Sequence, residues 1–253
     1  EIAFTPEGEI LGTVNIFNNR PRNDCVVHWM HGGLYPRRDM QQVLGEFKRT
    51  GDLLDPLISF GHVTVAGMMR YRGEGLGPSF DGNLFVTHFN TNRVVRVRIE
   101  RDGSTFRGKF EDFLIAESPD FRPTDVLQDA DGSLLVIDTG GWFRIGCPES
   151  KVARPEIRGA IYRVRRQGAA PKDDPRGRRI AWKGLPLPEL VNRLDDDRFA
   201  VRDRAIAELA RQGDRTADIL STALNNGSVR SRRNCVWTLG RIGSRAARTG
   251  LRK

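Results

Sequence analysis

Hydrophobic and polar residues alternate along the first two thirds of the chain in short runs that turns interrupt. Ile2-Ala3-Phe4 precedes a turn at residues 5–9, and an apolar run at residues 10–14 follows it. The same arrangement recurs around Asp81-Gly82 and, 50 residues later, around Asp131-Gly132. Asp-Gly between hydrophobic runs indicates a tight turn, because glycine readily takes the positive φ that such turns need. The pattern therefore predicts a series of β-hairpins.

An arginine-studded strand follows each of the two later hairpins, at residues 93–99 and 159–165. Apolar and charged residues alternate in both, which is typical of a strand with one solvated face. A repeat of turn, apolar strand, excursion and basic strand at a 50-residue spacing is typical of the four-stranded blades of a β-propeller. We therefore predict the last blades of a propeller over residues 1–166. A sandwich of unrelated hairpins is the alternative.

The hydrophobic period becomes helical after a segment rich in Pro, Gly and charge at residues 167–184, which we predict to be a linker. Leu187, Leu190, Val191 and Leu194 share one helix face, and Val201, Ala205, Ile206 and Leu209 share another. A five-residue pattern returns 30 residues later, from Arg202, Ala205, Ile206, Leu209 and Gly213 to Arg232, Cys235, Val236, Leu239 and Gly243. This pattern predicts about two HEAT-type helical repeats over residues 185–253. The expected fold class is multidomain, an all-β partial propeller followed by an all-α solenoid.

The composition is that of a chain with an ordinary core, with 38% hydrophobic and 29% charged residues. It contains neither a run of about 18 apolar residues nor a basic-then-apolar leader. The chain begins at Glu1 rather than Met, and we expect it to be a piece of a longer protein. Its three cysteines are widely spaced and odd in number, and they form no Cys-x-x-Cys motif, so they are not a disulfide framework. His28 and His31 fall on opposite faces of a strand, which argues against joint metal binding.

Charge is distributed unevenly along the chain. Residues 1–150 carry 16 Lys/Arg and 21 Asp/Glu, whereas residues 151–253 carry 25 and 11. A basic half of this kind is one signature of nucleic-acid binding. However, Arg outnumbers Lys 35 to 6, as in proteins of GC-rich genomes, and no aromatic-interleaved patch accompanies the basic residues. The sequence therefore favours genome composition as the origin of the basic half, and nucleic acid is not the expected partner.

Three segments carry a family resemblance: residues 121–142 (FRPTDVLQDADGSLLVIDTGGW), 67–72 (GMMRYR) and 83–90 (NLFVTHFN). Together they resemble the glucose/sorbosone dehydrogenase-like quinoprotein propellers. They are more closely similar to the large membrane-bound-dehydrogenase-type proteins of planctomycetes. Those proteins join such a propeller to HEAT repeats and often to a c-type haem domain, so haem would lie only outside this chain.

The resemblance implies an oxidoreductase that acts on a sugar or alcohol in the periplasm or cell envelope. In the quinoprotein members, pyrroloquinoline quinone lies on the propeller axis beside a calcium ion, held by arginines and a lysine. Arg122 matches the first cofactor arginine, whereas the second falls on Thr124 and the lysine falls near Asn90 or Thr91. The family's catalytic histidine and calcium loop belong to blades upstream of Glu1, so the resemblance implies no metal site in this chain.

Six residues are candidates for a site. His88 and His62 could act as acid, base or ligand, although a lone histidine at a strand end is more often a packing residue. Asn90, Arg122, Asp125 and Trp142 are candidates for cofactor binding. Arg122 could equally pair with Asp125, which could itself cap backbone amides, and Trp142 could equally form an aromatic plug between blades.

The sequence leaves three functions open. The first is a quinoprotein-type oxidoreductase in the intact protein, with no turnover by this chain alone. The second is a non-catalytic propeller and HEAT scaffold that binds protein or polysaccharide, which the incomplete set of cofactor anchors favours. The third is nucleic-acid binding through the basic helical half.

Overall fold

The computed structural model describes residues 1–19, 21–35, 40–46, 48–73, 75–141, 154 and 156–252. The chain divides into two compact units, Glu1–Ala169 and Ala170–Lys253. The first unit is rich in antiparallel sheets, and the second is helical. Among the described residues, no helix is long and apolar enough to cross a membrane.

The described residues of the first unit form three separate antiparallel sheets, and in each sheet neighbouring strands are also neighbours along the chain. Sheet 1 contains β1 (Ile2–Phe4), β2 (Ile10–Asn19), β3 (Arg22–Trp29) and β4 (Ile58–Gly61), with the short helix α1 (Gln41–Gly45) between β3 and β4. Sheet 2 contains β5 (Val65–Arg70), β6 (Leu84–His88), β7 (Arg93–Asp102) and β8 (Thr105–Ile115). Sheet 3 contains β9 (Pro123–Gln128), β10 (Leu134–Asp138) and β11 (Ala160–Val164). The described strands do not close into a barrel or a ring.

Glycines make the predicted tight turns. Gly8, Gly82 and Gly132 have φ values of +95°, +80° and +90°. The amide of Gly8 donates to the Thr5 carbonyl at 3.0 Å, and that of Gly132 donates to the Asp129 carbonyl at 2.9 Å. Any other residue would be strained at these φ values. The predicted turns are confirmed, and so are the arginine-studded strands, which are β7 and β11.

Two hydrophobic clusters join the sheets face to face. The first contains Ala3, Leu11 and Val26 of sheet 1 together with Val65, Met68, Leu84, Val86, Val95 and Val97 of sheet 2. The second contains Phe85 and Val94 of sheet 2 together with Val126, Leu134 and Val136 of sheet 3. The first strands of the sheets also meet, because β5 contacts both β1 and β9. The three sheets are therefore stacked in chain order.

The two outward sheet faces leave large apolar side chains exposed. Ala3 is buried towards sheet 2, so its neighbours Ile2 and Phe4, 56% and 49% exposed, lie on the opposite face of sheet 1. On sheet 3, Ile161 is 69% and Leu127 45% exposed. The sheet-rich unit thus presents apolar surface at both ends of its stack of sheets.

The described part of the second unit contains five α-helices: α2 (Leu187–Asn192), α3 (Phe199–Gln212), α4 (Ala217–Asn226), α5 (Val229–Ile242) and α6 (Arg245–Leu251). Ser228 and Ser244 cap α5 and α6, each accepting a backbone N–H at 3.1 Å. Gly243, at φ +65°, ends α5. The repeat-equivalent pairs Ala205/Cys235 and Leu209/Leu239 are fully buried. The predicted helical periodicity is confirmed.

Part of the predicted linker packs against α3. The Trp182 indole N–H donates to the Gly177 carbonyl at 2.8 Å, and the Arg198 guanidinium donates to the Asp174 carbonyl at 3.0 Å. A Cβ atom on Gly177 would lie 2.8 Å from a methyl carbon of Val201. Residues 174–182 therefore belong to the packed helical unit.

Candidate functional site

Three connections lie at the same end of the stacked sheets: residues 62–64, 89–92 and 116–122. They join β4 to β5, β6 to β7 and β8 to β9, and consecutive strands run in opposite directions. We call this the loop end. His62, Asn90 and Arg122 lie within these three connections, and His88 ends the strand that leads into the second. The structure therefore brings four of the six predicted residues to one end of the fold.

Asp24, which the sequence analysis did not single out, organises the loop end. Its fully buried carboxylate accepts N–H groups from Ile16 at 2.7 Å, Val63 at 3.0 Å and Thr64 at 2.6 Å. Ile16 and Thr64 have φ values of +58° and +54°, which are unfavourable for β-branched residues. The carboxylate bonds offset this strain and fix the connection at 62–64. The one available signal was a carboxylate beside the apolar run Cys25-Val26-Val27.

Asn90 ties two connections of the loop end together. Its side-chain amide donates to the Thr64 hydroxyl at 2.6 Å, and its backbone N–H donates to the Val63 carbonyl at 3.1 Å. These bonds tie the connection at 89–92 to the connection at 62–64. Asn90 is therefore a structural tie as well as a predicted binding residue.

His62 and Thr91 each carry a buried polar atom without a partner. Among the described residues, neither His62 Nε2 nor Thr91 Oγ1 has a hydrogen bond. Buried polar atoms are nearly always paired with protein, water or ligand, so two such atoms in neighbouring connections need an explanation. This position of the loop end can accept a water molecule or a polar ligand group.

His88 lies inside the protein, between sheets 1 and 2. It is 2% exposed, and its ring packs edge-on against Phe60 at 4.6 Å and faces Phe110 at 6.4 Å. Burial, together with the nearby charge of Arg93, lowers the pKa of His88 to about 4. The imidazole is therefore neutral at pH 7, and its Nε2 has no partner in the described part of the chain. His88 is closed off from the open surface where a substrate would approach.

Arg122 presents a cation at the loop end. Its backbone N–H donates to Asp138 Oδ1 at 3.0 Å, which fixes the turn before β9. Its guanidinium carbon lies 5.6 Å from the centre of the Phe89 ring. No carboxylate of a described residue pairs with it, so the alternative of an Arg122–Asp125 pair is not observed. A half-buried arginine of this kind is suited to an anionic group.

Asp125 serves the packing between sheets. Its Oδ1 accepts the N–H of Val126 at 2.7 Å, as predicted for an amide cap. A Cβ on Gly67 of β5 would lie 2.5 Å from both Asp125 Cα and Oδ1, so only glycine allows this approach of β5 and β9. Burial raises the pKa of Asp125. Trp142 lies outside the described residues.

A cleft lies at the opposite end of the sheets, beside the β7–β8 turn. It has a volume of about 330 Å³, and its lining includes His28, Tyr35, Asp55, Thr105 and Arg107. His28 is buried, with Nδ1 3.2 Å from the Thr105 hydroxyl, and burial lowers its pKa. His31 is exposed, so these two histidines do not form a common site.

Family models match two parts of the chain. A model described as HEAT repeats matches residues 187–253, and a model described as "Domain of unknown function (DUF7133)" matches residues 35–168. The second match extends over more than half of the 253 residues. The chain belongs to the DUF7133 family. No curated protein sequence matches the chain.

One solved structure with a similar chain path is an oxidoreductase described as a glucose dehydrogenase, from Thermus thermophilus. The two chains are 19% identical, with a TM-score of 0.43 over 64% of this chain. The aligned part spans 43% of the length of that oxidoreductase.

The DUF7133 match contains every predicted site residue. It begins before β4 and ends after β11, so it includes His62, His88, Asn90, Arg122 and Asp125, as well as Trp142. It does not include Asp24 on β3, although that carboxylate holds the connection at 62–64. The loop end therefore combines residues of the DUF7133 segment with an anchor that precedes it.

Proposed function

We propose that the sheet-rich unit consists of blades of a β-propeller whose loop end binds a small polar ligand. Three features support the propeller: sheets with strands in chain order, contacts of β5 with both β1 and β9, and hydrophobic clusters between successive sheets. In a propeller the first strand of each blade lies next to the axis, and neighbouring blades pack face to face. The exposed apolar faces of sheets 1 and 3 would then pack against further blades.

The ligand is inferred from what the loop end offers. Arg122 is a cation without a carboxylate partner among the described residues, and His62 and Thr91 each supply a buried polar atom without a hydrogen bond. A ligand with an anionic group and hydroxyls would satisfy both features, as a sugar acid does. The unpaired atoms of His62 and Thr91 carry the proposal.

The test is ligand binding by the full chain. We expect a panel of sugars, sugar acids and polyols to contain a compound that raises the melting temperature and binds in calorimetry. Arg122→Gln and His62→Leu should each weaken that binding at least tenfold. Arg49→Gln, at an exposed arginine outside the loop end, is the matched control. Equal affinity of Arg122→Gln and wild type for the ligand would show that the ligand does not bind at the loop end.

A quinoprotein-type oxidoreductase in the periplasm or cell envelope is the second candidate, and the family resemblance supports it. The described residues supply one cation for a quinone, and they include no cluster of three His, Cys, Asp or Glu that could hold calcium. His88, one of the two catalytic candidates, is closed off inside the fold. These residues alone do not make a quinone and calcium site, so any such centre would need parts of a longer protein, as would a haem c.

This second candidate has a direct test. Pyrroloquinoline quinone and calcium are titrated into the longest expressible form of the protein, and dye reduction is measured with sugars and alcohols. Cofactor-dependent turnover would establish the oxidoreductase, whereas no binding at micromolar quinone would remove it. If the protein is a scaffold that binds only protein or polysaccharide, we expect neither cofactor binding nor turnover. If it binds nucleic acid, we expect its affinity for nucleic acid to fall steeply as the salt concentration is raised.

A further inference from the structure

A groove, which we call the α2–α4 groove, runs between α2 and α4 on the flank of the helical unit. It has a volume of about 540 Å³, and Gly227 and Ser228, which lead into α5, line one part of it. The 30-residue repeat makes α2 and α4 equivalent helices of consecutive repeats, and they contact each other. Each repeat of a solenoid packs only against the repeats before and after it along the stack. The groove is therefore not a surface on which a further repeat would pack.

The next pair of equivalent helices, α4 and α6, approach each other closely at a glycine. A Cβ atom on Gly250 would clash with the Ser221 hydroxyl. One repeat earlier, the equivalents of Gly250 and Ser221 are Leu220 and Val191, and both of these side chains are buried. Because they are larger, α2 and α4 cannot approach each other in the same way. The position of the groove thus follows from side-chain size at two repeat positions.

The α2–α4 groove contains a carboxylate that no cation neutralises. Asp195, in the turn after α2, lines the groove, and its Oδ1 accepts the Ser228 hydroxyl at 2.8 Å. Arg230 donates to the backbone carbonyl of Asp195 at 3.2 Å and to the carboxylate of Asp197 at 2.8 Å. No Lys, Arg or His in the described part of the chain forms an ion pair with the Asp195 carboxylate. Its second oxygen is therefore available to a ligand.

Other polar groups of the groove also offer hydrogen-bond acceptors. The Asn226 side-chain amide donates to the Thr222 carbonyl at 3.3 Å, and the Thr222 hydroxyl donates to the Asp218 carbonyl at 3.1 Å. These bonds use donors within α4, whereas the side-chain oxygens of Asn226 and Thr222 accept no bond from the described residues. Asp218 lies one helical turn from Thr222, and its carboxylate also has no ion pair with a described residue. The groove and its rim are therefore suited to a group that donates several hydrogen bonds.

Positive charge dominates the helical half of the chain, but it is missing from the lining of the groove. Residues 151–253 carry 25 Lys/Arg and 11 Asp/Glu, whereas none of the described residues that line the groove is Lys or Arg. The lining combines the acceptors with apolar side chains, which are Pro188, Val191, Ile219 and Ala223. A guanidinium carries five N–H donors on an aliphatic stem, so an arginine side chain matches both parts of the lining.

We propose that the α2–α4 groove binds an extended segment of a partner protein through an arginine side chain that pairs with Asp195. The groove is open to solvent on one side, whereas sites for small molecules enclose most of their ligand. Pro188 and Asp195 are seven residues apart, which is about 10 Å along a helix and about the length of three residues of extended chain. The arginine stem and a neighbouring apolar side chain of the segment then cover the apolar part of the groove.

The probe is a short fluorescent peptide with one central arginine between leucine and alanine residues. The matched control peptide carries citrulline in place of the arginine, which keeps the shape of the side chain and removes its charge. Binding is measured by fluorescence anisotropy with the full chain, up to millimolar protein. We expect the full chain to bind the arginine peptide at least fivefold more tightly than the citrulline peptide, with an affinity that falls as salt is raised.

Variants of the chain test the groove itself. Asp195→Asn should weaken binding of the arginine peptide at least fivefold and abolish the preference over citrulline, whereas Asp214→Asn, at an exposed carboxylate outside the groove, should leave the affinity within twofold. Thr222→Arg places a cation in the groove and should block the peptide. Asn225→Arg adds the same charge to an exposed position of α4 outside the lining and should weaken binding much less. Circular dichroism melts establish that the variants fold.

Four results would overturn the proposal. Absence of binding at millimolar protein would show that the groove does not hold an arginine side chain. Equal binding of the two peptides would show that charge does not select the occupant. Unchanged affinity of Asp195→Asn for the arginine peptide would show that the peptide binds elsewhere on the chain. Dimerisation of the wild-type chain, abolished by Asp195→Asn in sedimentation, would show that a second copy of the chain occupies the groove.

Discussion

The polar contacts of the two units differ in how far apart along the chain the two bonded residues lie. In the sheet-rich unit, Asp24 binds amides 39 and 40 residues away, and Arg101 pairs with Glu9 over 92 residues. In the helical unit, Ser228 caps an amide three residues away, and the longer contacts connect neighbouring repeats. Helix geometry is set by local sequence, whereas a loop end is assembled only when distant strands have paired. The predictions below test this contrast.

The largest expected effect follows replacement of Asp24. Asp24→Ala leaves three N–H groups without their acceptor and removes the bonds that hold Ile16 and Thr64 at positive φ. We expect the sheet-rich unit to lose about 4 kcal/mol of stability, measured by urea denaturation with hydrogen exchange resolved by unit. Asp52→Ala, at an exposed position, is the control. A loss below about 1 kcal/mol would mean that Asp24 does not organise the loop end.

In the helical unit, the largest effect should come from a buried leucine. Leu209→Ala and Leu239→Ala each remove a fully buried side chain at an equivalent repeat position. Each should cost about 3 kcal/mol, through lost burial and the cavity that remains. Leu251→Ala, at a partly exposed position, should cost much less. Similar values for Leu209 and Leu239 would show that the repeats are energetically equivalent, whereas a small cost at Leu239 alone would show that α5 is loosely packed.

Acid should weaken the sheet-rich unit through His88. The pKa of the folded imidazole is lowered to about 4, first by burial and then by Arg93, while Asp112 and Asp24 act in the opposite direction. An unfolded histidine titrates near pH 6.5, so between these pH values the unfolded chain binds a proton that the folded chain does not. Stability is therefore fully present above pH 6.5 and falls towards pH 4, by up to about 3 kcal/mol.

His88→Phe should flatten this pH dependence, measured as the difference in unfolding free energy between pH 7 and pH 4.5. His31→Phe, at an exposed position, is the matched control and should keep the wild-type slope. Parallel curves for wild type and His88→Phe would contradict the assignment to His88. The smaller downward shift of the His28 pKa should leave a residual slope of the same sign in both variants.

The contrast between the units also explains what the sequence could predict. A 3.6-residue period and a 30-residue repeat located α3 and α5, and Asp-Gly turns located the hairpins, since both signals are local. The sequence did not show that Asn90 ties to Thr64, that Arg122 packs near Phe89 instead of pairing with Asp125, or that His88 lies between aromatic rings. Those side-chain contacts depend on which sheets pack against each other. Asp24 was missed because a carboxylate in a strand gives no sign of the amides it will meet.

The smallest expected effect concerns the contact between repeats. Arg230 and Asp197 form an ion pair at 2.8 Å, but the two side chains are 47% and 91% exposed. Exposed pairs contribute little because water and salt screen them, so a double-mutant cycle with Arg230→Ala and Asp197→Ala should give a coupling of about 0.5 kcal/mol or less. The coupling should fall as salt is raised and should be near zero at about 1 M NaCl, where the Debye length of about 3 Å is close to the pair distance. A salt-resistant coupling above about 1.5 kcal/mol would mean that polar contacts position α5 on α3 as firmly as Asp24 holds the loop end.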